Sequence, residues 1–178
     1  MKLRNNYSLE SVIGMIIILS TIYGCAHKQE KIEEVKNKLI GSWRIDKVKW
    51  IAKDTTLLLV PNSKGLLLIT DGHYSIAWSP REKRIPFKNL GAPTAEETIA
   101  GFQSIVFNSG VHESTDSTFT TIAQIAKVPG FEGGKQLYRY ETKNDSKIIL
   151  TLFDEYYPDN TKPNWSGKWK TEFYLYRE

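Results

Sequence analysis

From residue 39 onward the chain is a series of short segments in which apolar and polar residues alternate, each followed by turn-forming residues. Successive side chains of a strand point to opposite faces, so an alternation with a period of two predicts β-strands. Repeated short turns between such segments predict antiparallel pairing of neighbouring strands, and there are about eight to ten segments of this kind. The pattern predicts an all-β domain, either a barrel or a sandwich.

The first predicted strand contains a break in its alternation. Trp43 and Ile45 share one face, whereas Val48 and Trp50 are out of step with them by one residue. A slip of one residue within a strand is typical of a β-bulge. We therefore expect this strand to bend near its middle.

Two turn signals follow the first strand. Residues 61–65 (Pro-Asn-Ser-Lys-Gly) predict a turn between strands at 56–60 and 66–70. Asp71-Gly72 is typical of a tight β-hairpin and leads into a predicted strand at residues 73–78.

The middle of the domain is predicted to be irregular and then helical. Residues 80–93 hold three prolines and a glycine and predict a loop, and Thr94-Ala95-Glu96-Glu97 resembles a capping box that opens a short helix ending near Phe102. Asn108-Ser109-Gly110 predicts a turn after the next strand. The remaining strands are predicted at residues 103–107, 118–127, 135–142, 147–154 and 168–177.

The N-terminal segment has the layout of a bacterial export signal. Lys2 and Arg4 precede an apolar run at residues 12–19, which is short of the roughly 20 residues that span a bilayer but is typical of a signal peptide. Ile22-Tyr23-Gly24-Cys25 resembles the lipobox that prolipoprotein signal peptidase cleaves. The resemblance implies removal of residues 1–24 and lipidation of Cys25. The competing interpretation is an uncleaved membrane anchor with an incidental cysteine.

Cys25 is the only cysteine of the chain, which excludes an internal disulfide. A lone free thiol is unusual in an exported protein, and acylation of Cys25 would account for it. Residues 25–38 are polar and of mixed charge, and we interpret them as a tether. Ala26 stands where an aspartate often retains lipoproteins at the inner membrane, so we expect a lipid-anchored protein of the cell envelope, at the outer membrane.

The domain at residues 39–178 resembles the bacterial lipocalin-like domains. Gly41-x-Trp43 is similar to the lipocalin Gly-x-Trp signature, residues 65–75 (Gly-Leu-Leu-Leu-Ile-Thr-Asp-Gly-His-Tyr-Ser) are similar to the hairpin of that family, and residues 128–140 are similar to its later Pro…Gly…Arg-Tyr stretch. The resemblance implies a single antiparallel β-barrel with one short helix. It also implies that the first-strand tryptophan plugs one end of the barrel.

In lipocalins a basic residue of the last strand packs over that tryptophan, where a cation is attracted to the face of the ring. The resemblance therefore pairs Trp43 with Arg177, and Arg139 is the alternative partner. This role is structural.

The sequence offers little that could carry catalysis. The net charge of +4 comes from scattered basic residues, which excludes a nucleic-acid footprint, and the three histidines lack the spacing of a zinc site. No Gly-x-Ser-x-Gly is present, and the carboxylates in Glu96-Glu97 and in Asp154-Glu155 point away from each other on a helix and on a strand. We predict no catalytic residue, no metal site and no cofactor, and we classify the chain as a non-enzyme.

Apolar and aromatic side chains are the remaining functional clue. Tyr74, Ile76 and Trp78 share the bulky face of the strand after the hairpin, so we expect them to point inward and line an apolar pocket. Four aromatic residues near the C-terminus are either a stacking platform or barrel core: Tyr156, Tyr157, Trp165 and Trp169.

Two functions stay open because a barrel of about eight strands either is filled by side chains or holds one small ligand. The first is a membrane-anchored lipocalin-like lipoprotein that binds a small apolar ligand in the barrel. The second is a non-enzymatic envelope interaction module with a filled interior, which binds a glycan or a protein through its loops. An interior cavity discriminates between them.

Lipidation can be tested directly at Cys25. The wild-type protein should incorporate radioactive palmitate and partition into membranes, whereas Cys25→Ser should do neither, because the thiol is the acceptor of the lipid. Equal labelling of the mutant and the wild type would rule out the lipoprotein interpretation.

Overall fold

The computed structural model describes residues 38–53 and 55–178. The predicted signal peptide, Cys25 and the tether up to residue 37 lie outside the described residues. Within them, eight strands form a closed antiparallel barrel in which each strand pairs with its neighbours in the chain and the last pairs with the first. The predicted all-β barrel with one short helix is confirmed. No helix in the described part of the chain is long and apolar enough to cross a membrane.

The elements follow the chain in simple order. The strands are β1 (Gly41–Ala52), β2 (Thr55–Ile69), β3 (His73–Trp78), β4 (Val106–Ser114), β5 (Thr118–Ala126), β6 (Lys135–Asn144), β7 (Lys147–Tyr156) and β8 (Lys170–Arg177). The helix α1 (Ala95–Gln103) lies between β3 and β4, and none of its residues is buried.

The expected irregularity in β1 is present as a shift in strand register. The register of β1 slips between Ile45 and Lys47 against both of its partners, β2 and β8. As a result Trp43, Ile45 and Val48 all point into the core, with exposed fractions of 1%, 0% and 0%. The predicted β-bulge is confirmed.

Two predicted turns are wrong, because the chain continues there as strand. Residues 61–65 lie within β2 and residues 108–110 lie within β4, each next to a slip in strand register. The glycines allow close backbone approach at these slips. A Cβ on Gly65 would lie 2.5 Å from the Cβ of Trp78, and one on Gly110 would lie 2.1 Å from the carbonyl oxygen of Ile122.

The hairpin and the helix start were predicted correctly. The Thr70 N–H donates to the His73 carbonyl at 2.9 Å, which closes the tight turn at 71–72. The Thr94 hydroxyl accepts from the Glu97 N–H at 3.2 Å, and the Glu97 carboxylate accepts from the Thr94 N–H at 2.9 Å. These two bonds form the capping box, and residues 80–93 before it are irregular.

The two ends of the barrel differ because connections between antiparallel strands alternate between them. At the closed end, where β1 begins and β8 ends, short turns join β2 to β3, β4 to β5 and β6 to β7. At the open end, where β1 ends and β8 begins, the connections at residues 79–105, 127–134 and 157–169 are longer. The open end therefore has the loops from which a binding site can be built.

Arg177 links the end of β8 to the segment that enters β1 at the closed end. Its guanidinium carbon lies 4.2 Å from the ring centroid of Trp43. Two of its nitrogens donate to the carbonyls of Ile40 and Lys38, at 2.9 and 2.7 Å. The Trp43 indole N–H donates to the Leu39 carbonyl at 2.8 Å, so both polar ends of the pair are satisfied by the segment that enters β1.

A glycine at position 41 makes room for this arrangement. A Cβ there would lie 2.6 Å from a terminal nitrogen of Arg177, and the backbone φ of Gly41 is +144°. The Gly-x-Trp pattern therefore has a steric reason in this chain. The other basic candidate, Arg139, is exposed and lies 4.8 Å from the ring centroid of Phe153.

Truncation of Trp43 should destabilise the barrel strongly. Trp43→Ala should lower the free energy of unfolding by about 3–5 kcal/mol, because removal of a buried aromatic leaves a cavity in the core. Denaturant titration of the unlipidated protein measures this change. Leu57→Ala is the control, since Leu57 is 52% exposed and its truncation should cost less than about 1 kcal/mol. Equal losses in both variants would contradict a structural role for Trp43.

Candidate ligand-binding site

A cavity of about 210 Å³ opens at the open end of the barrel. Four of the five tryptophans of the chain are among the thirteen residues that line it. They are Trp50 of β1, Trp78 of β3, and Trp165 and Trp169 of the loop between β7 and β8. The ring planes of Trp165 and Trp169 stack at 29° with centroids 6.3 Å apart.

Of the three residues predicted to line a pocket, two line the cavity and one does not. Tyr74, Ile76 and Trp78 are all buried, at 3%, 3% and 6% exposed. Ile76 and Trp78 line the cavity. Tyr74 is not among its lining residues, because β3 starts at the closed end and Tyr74 lies near that start. It packs edge-on against Phe119 instead, at 6.2 Å between centroids.

The aromatic residues near the C-terminus divide between several roles. Trp165 and Trp169 line the cavity and are partly buried. The Lys162 ammonium lies over the Tyr156 ring, 4.6 Å from its centroid. Tyr157 packs edge-on against Phe131, at 6.3 Å between centroids, in a neighbouring cavity. The two tyrosines therefore do not share the wall formed by the tryptophans.

A hydrogen-bonded polar network crosses the apolar wall. The Tyr138 hydroxyl donates to Oε1 of Gln136 at 2.9 Å, and Nδ2 of Asn108 donates to the same oxygen at 3.2 Å. Nε2 of Gln136 donates to the Glu155 carboxylate at 2.6 Å. All four residues line the cavity.

The carboxylate sets the direction of this network. An ionised Glu155 can only accept, so Gln136 turns its NH₂ group toward it and its carbonyl toward Asn108. Asn108 must then donate to Gln136, which leaves its own Oδ1 facing elsewhere. That oxygen is buried, in a residue 5% exposed, and has no hydrogen-bond partner among the described residues. A buried acceptor without a partner is costly to the folded protein.

A register slip in β7 turns Glu155 toward the cavity. Leu137 pairs with Asp154 but Tyr138 pairs with Leu152, so Phe153 is an extra residue in the ladder. Gln136 then lies directly opposite Glu155, on the same face. Without the slip, the alternation of buried residues in β7 would have brought Asp154 inward.

Asp154 instead contacts the loop between β7 and β8. It accepts from the Lys162 ammonium at 2.6 Å and from the Ser166 hydroxyl at 2.7 Å. These contacts tie the loop that carries Trp165 and Trp169 to the end of β7. Asp154 therefore contacts the loop, whereas the adjacent Glu155 lies in the cavity wall.

The surroundings of the polar network shift its titration. Burial raises the pKa of Glu155 above its usual range, although the hydrogen bond from Gln136 opposes the rise. Burial also raises the pKa of Tyr138 well above its usual range. The Tyr138 phenol therefore stays protonated and keeps donating to Gln136.

A second cavity of about 250 Å³ adjoins the first. The two share Val106, Asn108, Gln136 and Glu155 in their linings. The second also has Lys127 in its wall, whose ammonium donates to the Ile105 carbonyl at 2.7 Å. Burial lowers the pKa of Lys127.

Sequence reasoning missed the polar network. Gln136 and Tyr138 alternate along β6, which is a signal for a shared face, but nothing in the sequence distinguishes that face from the outer one. Asn108 was assigned to a turn, and the inward position of Glu155 depends on the slip in β7. In the described part of the chain, no group of three or more His, Cys, Asp or Glu residues could hold a metal ion.

The fold and site define a closed eight-stranded antiparallel β-barrel with an aromatic cavity at one end. No protein-family model matches the chain, and no curated protein matches it. A solved structure of a redesigned β-barrel is similar at 12% sequence identity, with 79% of this chain and 92% of that barrel covered and a TM-score of 0.35.

The raised pKa of Glu155 predicts a pH-dependent stability. The native state binds the Glu155 proton more tightly than the unfolded state, so ionisation destabilises the native protein. As the pH falls through the raised pKa toward about 4, where an unperturbed glutamate titrates, the wild type should gain stability relative to Glu155→Gln. Denaturant titration of both proteins across this range measures the difference.

Glu97→Gln is a control with the opposite sign. Hydrogen bonds from the backbone N–H groups of Lys88 and Thr94 lower the pKa of Glu97. The wild type should therefore lose stability relative to Glu97→Gln as the pH falls. A pH-independent difference between the wild type and Glu155→Gln would show that Glu155 is not held in a desolvated position.

Proposed function

We propose that this protein is a membrane-tethered, lipocalin-like binding protein of the cell envelope that holds a small ligand in the open-end cavity. The observation that carries the proposal is a cavity whose lining combines four tryptophans with the hydrogen-bonded network of Asn108, Gln136 and Glu155. Small-molecule sites combine apolar and aromatic walls with a few placed polar groups that orient the ligand. Binding, rather than catalysis, is the function that these groups support.

The chain enters the barrel at the closed end. Lys38 contacts Arg177 there, and β1 begins at the same end. The point at which the proposed tether joins the barrel is therefore at the end opposite the cavity.

The size of the cavity limits the ligand. Cavities for drug-sized ligands start at about 300 Å³, and this one measures about 210 Å³. Toward the closed end the interior is filled by side chains such as Phe119, Leu150 and Leu175, each 1% exposed. We therefore expect a ligand about as large as a single substituted ring.

The second candidate function is an interaction module that binds a protein through the open-end loops. The observation that favours it is a set of exposed apolar side chains there. In the connection between β3 and β4, Ile85, Leu90 and Ile99 are 74%, 83% and 58% exposed, and Val128 in the connection between β5 and β6 is 56% exposed. Exposed apolar patches are typical of interaction surfaces.

Tryptophan fluorescence can test occupancy of the cavity. Small neutral aromatic probes such as 2-phenylethanol should change the emission saturably, since four of the five tryptophans line the cavity. Trp169→Ala should weaken binding by about fivefold, because one aromatic contact is worth about 1 kcal/mol. Trp43→Phe should retain the response, as Trp43 lies at the closed end.

Tyr174→Ala is the matched control for Trp169→Ala. Tyr174 lies on β8, where the Lys47 ammonium covers its ring at 4.1 Å, and it does not line the cavity. Its truncation should leave binding unchanged. Absence of saturable binding across a panel of small apolar probes would refute the ligand-binding proposal and favour the interaction module.

A further inference from the structure

The cavity wall carries a carboxylate without a cation beside it. The ion pairs of the described residues join Asp46 to Arg44, Glu141 to Lys143, Asp154 to Lys162 and Glu172 to Lys170. Glu155 takes part in none of them. Its side-chain hydrogen-bond partner, Gln136, is a neutral donor. The negative charge of Glu155 is therefore not neutralised by the protein around it.

The tryptophans around this carboxylate also favour a positive charge. The face of an indole ring carries negative electrostatic potential, and a desolvated cation against it is stabilised. Trp50, Trp78, Trp165 and Trp169 line the same cavity as Glu155. No lysine, arginine or histidine is among the residues that line it. The wall thus combines a formal negative charge with several aromatic surfaces.

The polar network presents an acceptor rather than a donor at the cavity wall. The Glu155 carboxylate accepts, and the Tyr138 hydroxyl already donates its single proton to Gln136. The NH₂ groups of Asn108 and Gln136 each donate within the network, at 3.2 and 2.6 Å. A ligand group with N–H donors fits this carboxylate.

We propose that the open-end cavity binds a small organic ammonium ion, with the ammonium against Glu155 and its aromatic or apolar body against the tryptophans. This inference rests on the proposed ligand-binding function and names the class of ligand. An anionic ligand is disfavoured by the charge of Glu155. The neighbouring cavity is the poorer place for a cation, because Lys127 lies in its wall.

Burial of the carboxylate adds support. Desolvation raises the pKa of Glu155, which means that its ionised form is costly in the empty cavity. A bound cation would reduce that cost, whereas a neutral ligand would not. A bound cation would therefore stabilise the ionised Glu155 more than the neutral amide of Gln136 does.

Three probes of similar shape and different charge provide the test. We expect 2-phenylethylammonium to bind the wild-type protein about tenfold more tightly than 2-phenylethanol, the effect of one desolvated cation contact. Phenylacetate should not bind saturably. Tryptophan fluorescence and isothermal calorimetry measure all three affinities on the unlipidated protein.

Glu155→Gln should reduce the ratio of ammonium to alcohol affinity to about one, because it removes the charge and keeps the shape of the side chain. Glu172→Gln is the matched control, since Glu172 lies on β8, pairs with Lys170 and does not line the cavity. It should leave the ratio unchanged.

The outcomes separate the inference from the function on which it rests. If the wild type binds the alcohol as tightly as the ammonium, or if Glu155→Gln keeps the preference for ammonium, the inference is overturned and the ligand-binding function stands. If none of the three probes binds, and neither does the wider panel of apolar probes, both are overturned. The ratio in the wild type decides the inference even if the variant fails to fold.

Discussion

The pairing of β1 with β8, completed by Arg177 over Trp43, is the interaction on which the rest of the barrel depends. Closure leaves no free sheet edge and fixes which side chains face a common interior. Because Arg177 also binds the carbonyls of the segment that enters β1, one side chain seals this end. The interior near the seal is filled with apolar side chains, and the aromatic cavity lies at the open end.

Slips in strand register decide what the open end presents. A regular alternation would carry the apolar pattern of each strand unchanged to its end, but β1, β4, β5 and β7 are each interrupted where they pair. In β7 the extra residue Phe153 reverses the faces on which Asp154 and Glu155 lie, so Glu155 points toward the cavity and Asp154 points away from it. One carboxylate then ties down the loop that carries Trp165 and Trp169, and the other becomes part of the cavity wall. A one-residue irregularity thus places charge inside an aromatic site.

Electrostatics and packing reinforce each other in this site. Burial of the polar network makes the charge of Glu155 costly. The two proposals, that the cavity binds a ligand and that this ligand is cationic, rest on the same feature: a carboxylate that lies in an aromatic cavity wall and accepts from the neutral amide of Gln136.

The sequence by itself determined the class of fold, because period-two alternation, the Asp71-Gly72 hairpin and the Thr94–Glu97 capping box are local features whose physics lies within a few residues. It also indicated the bulge in β1 and the inward face of β3. It did not reveal that residues 61–65 and 108–110 continue as strand, since a glycine that permits a turn and one that permits a close strand contact look alike until the neighbouring strand is known. The site was decided only by tertiary structure. Asn108, Gln136 and Glu155 come from three strands, and their common orientation depends on register, which is a property of paired strands and not of any single one.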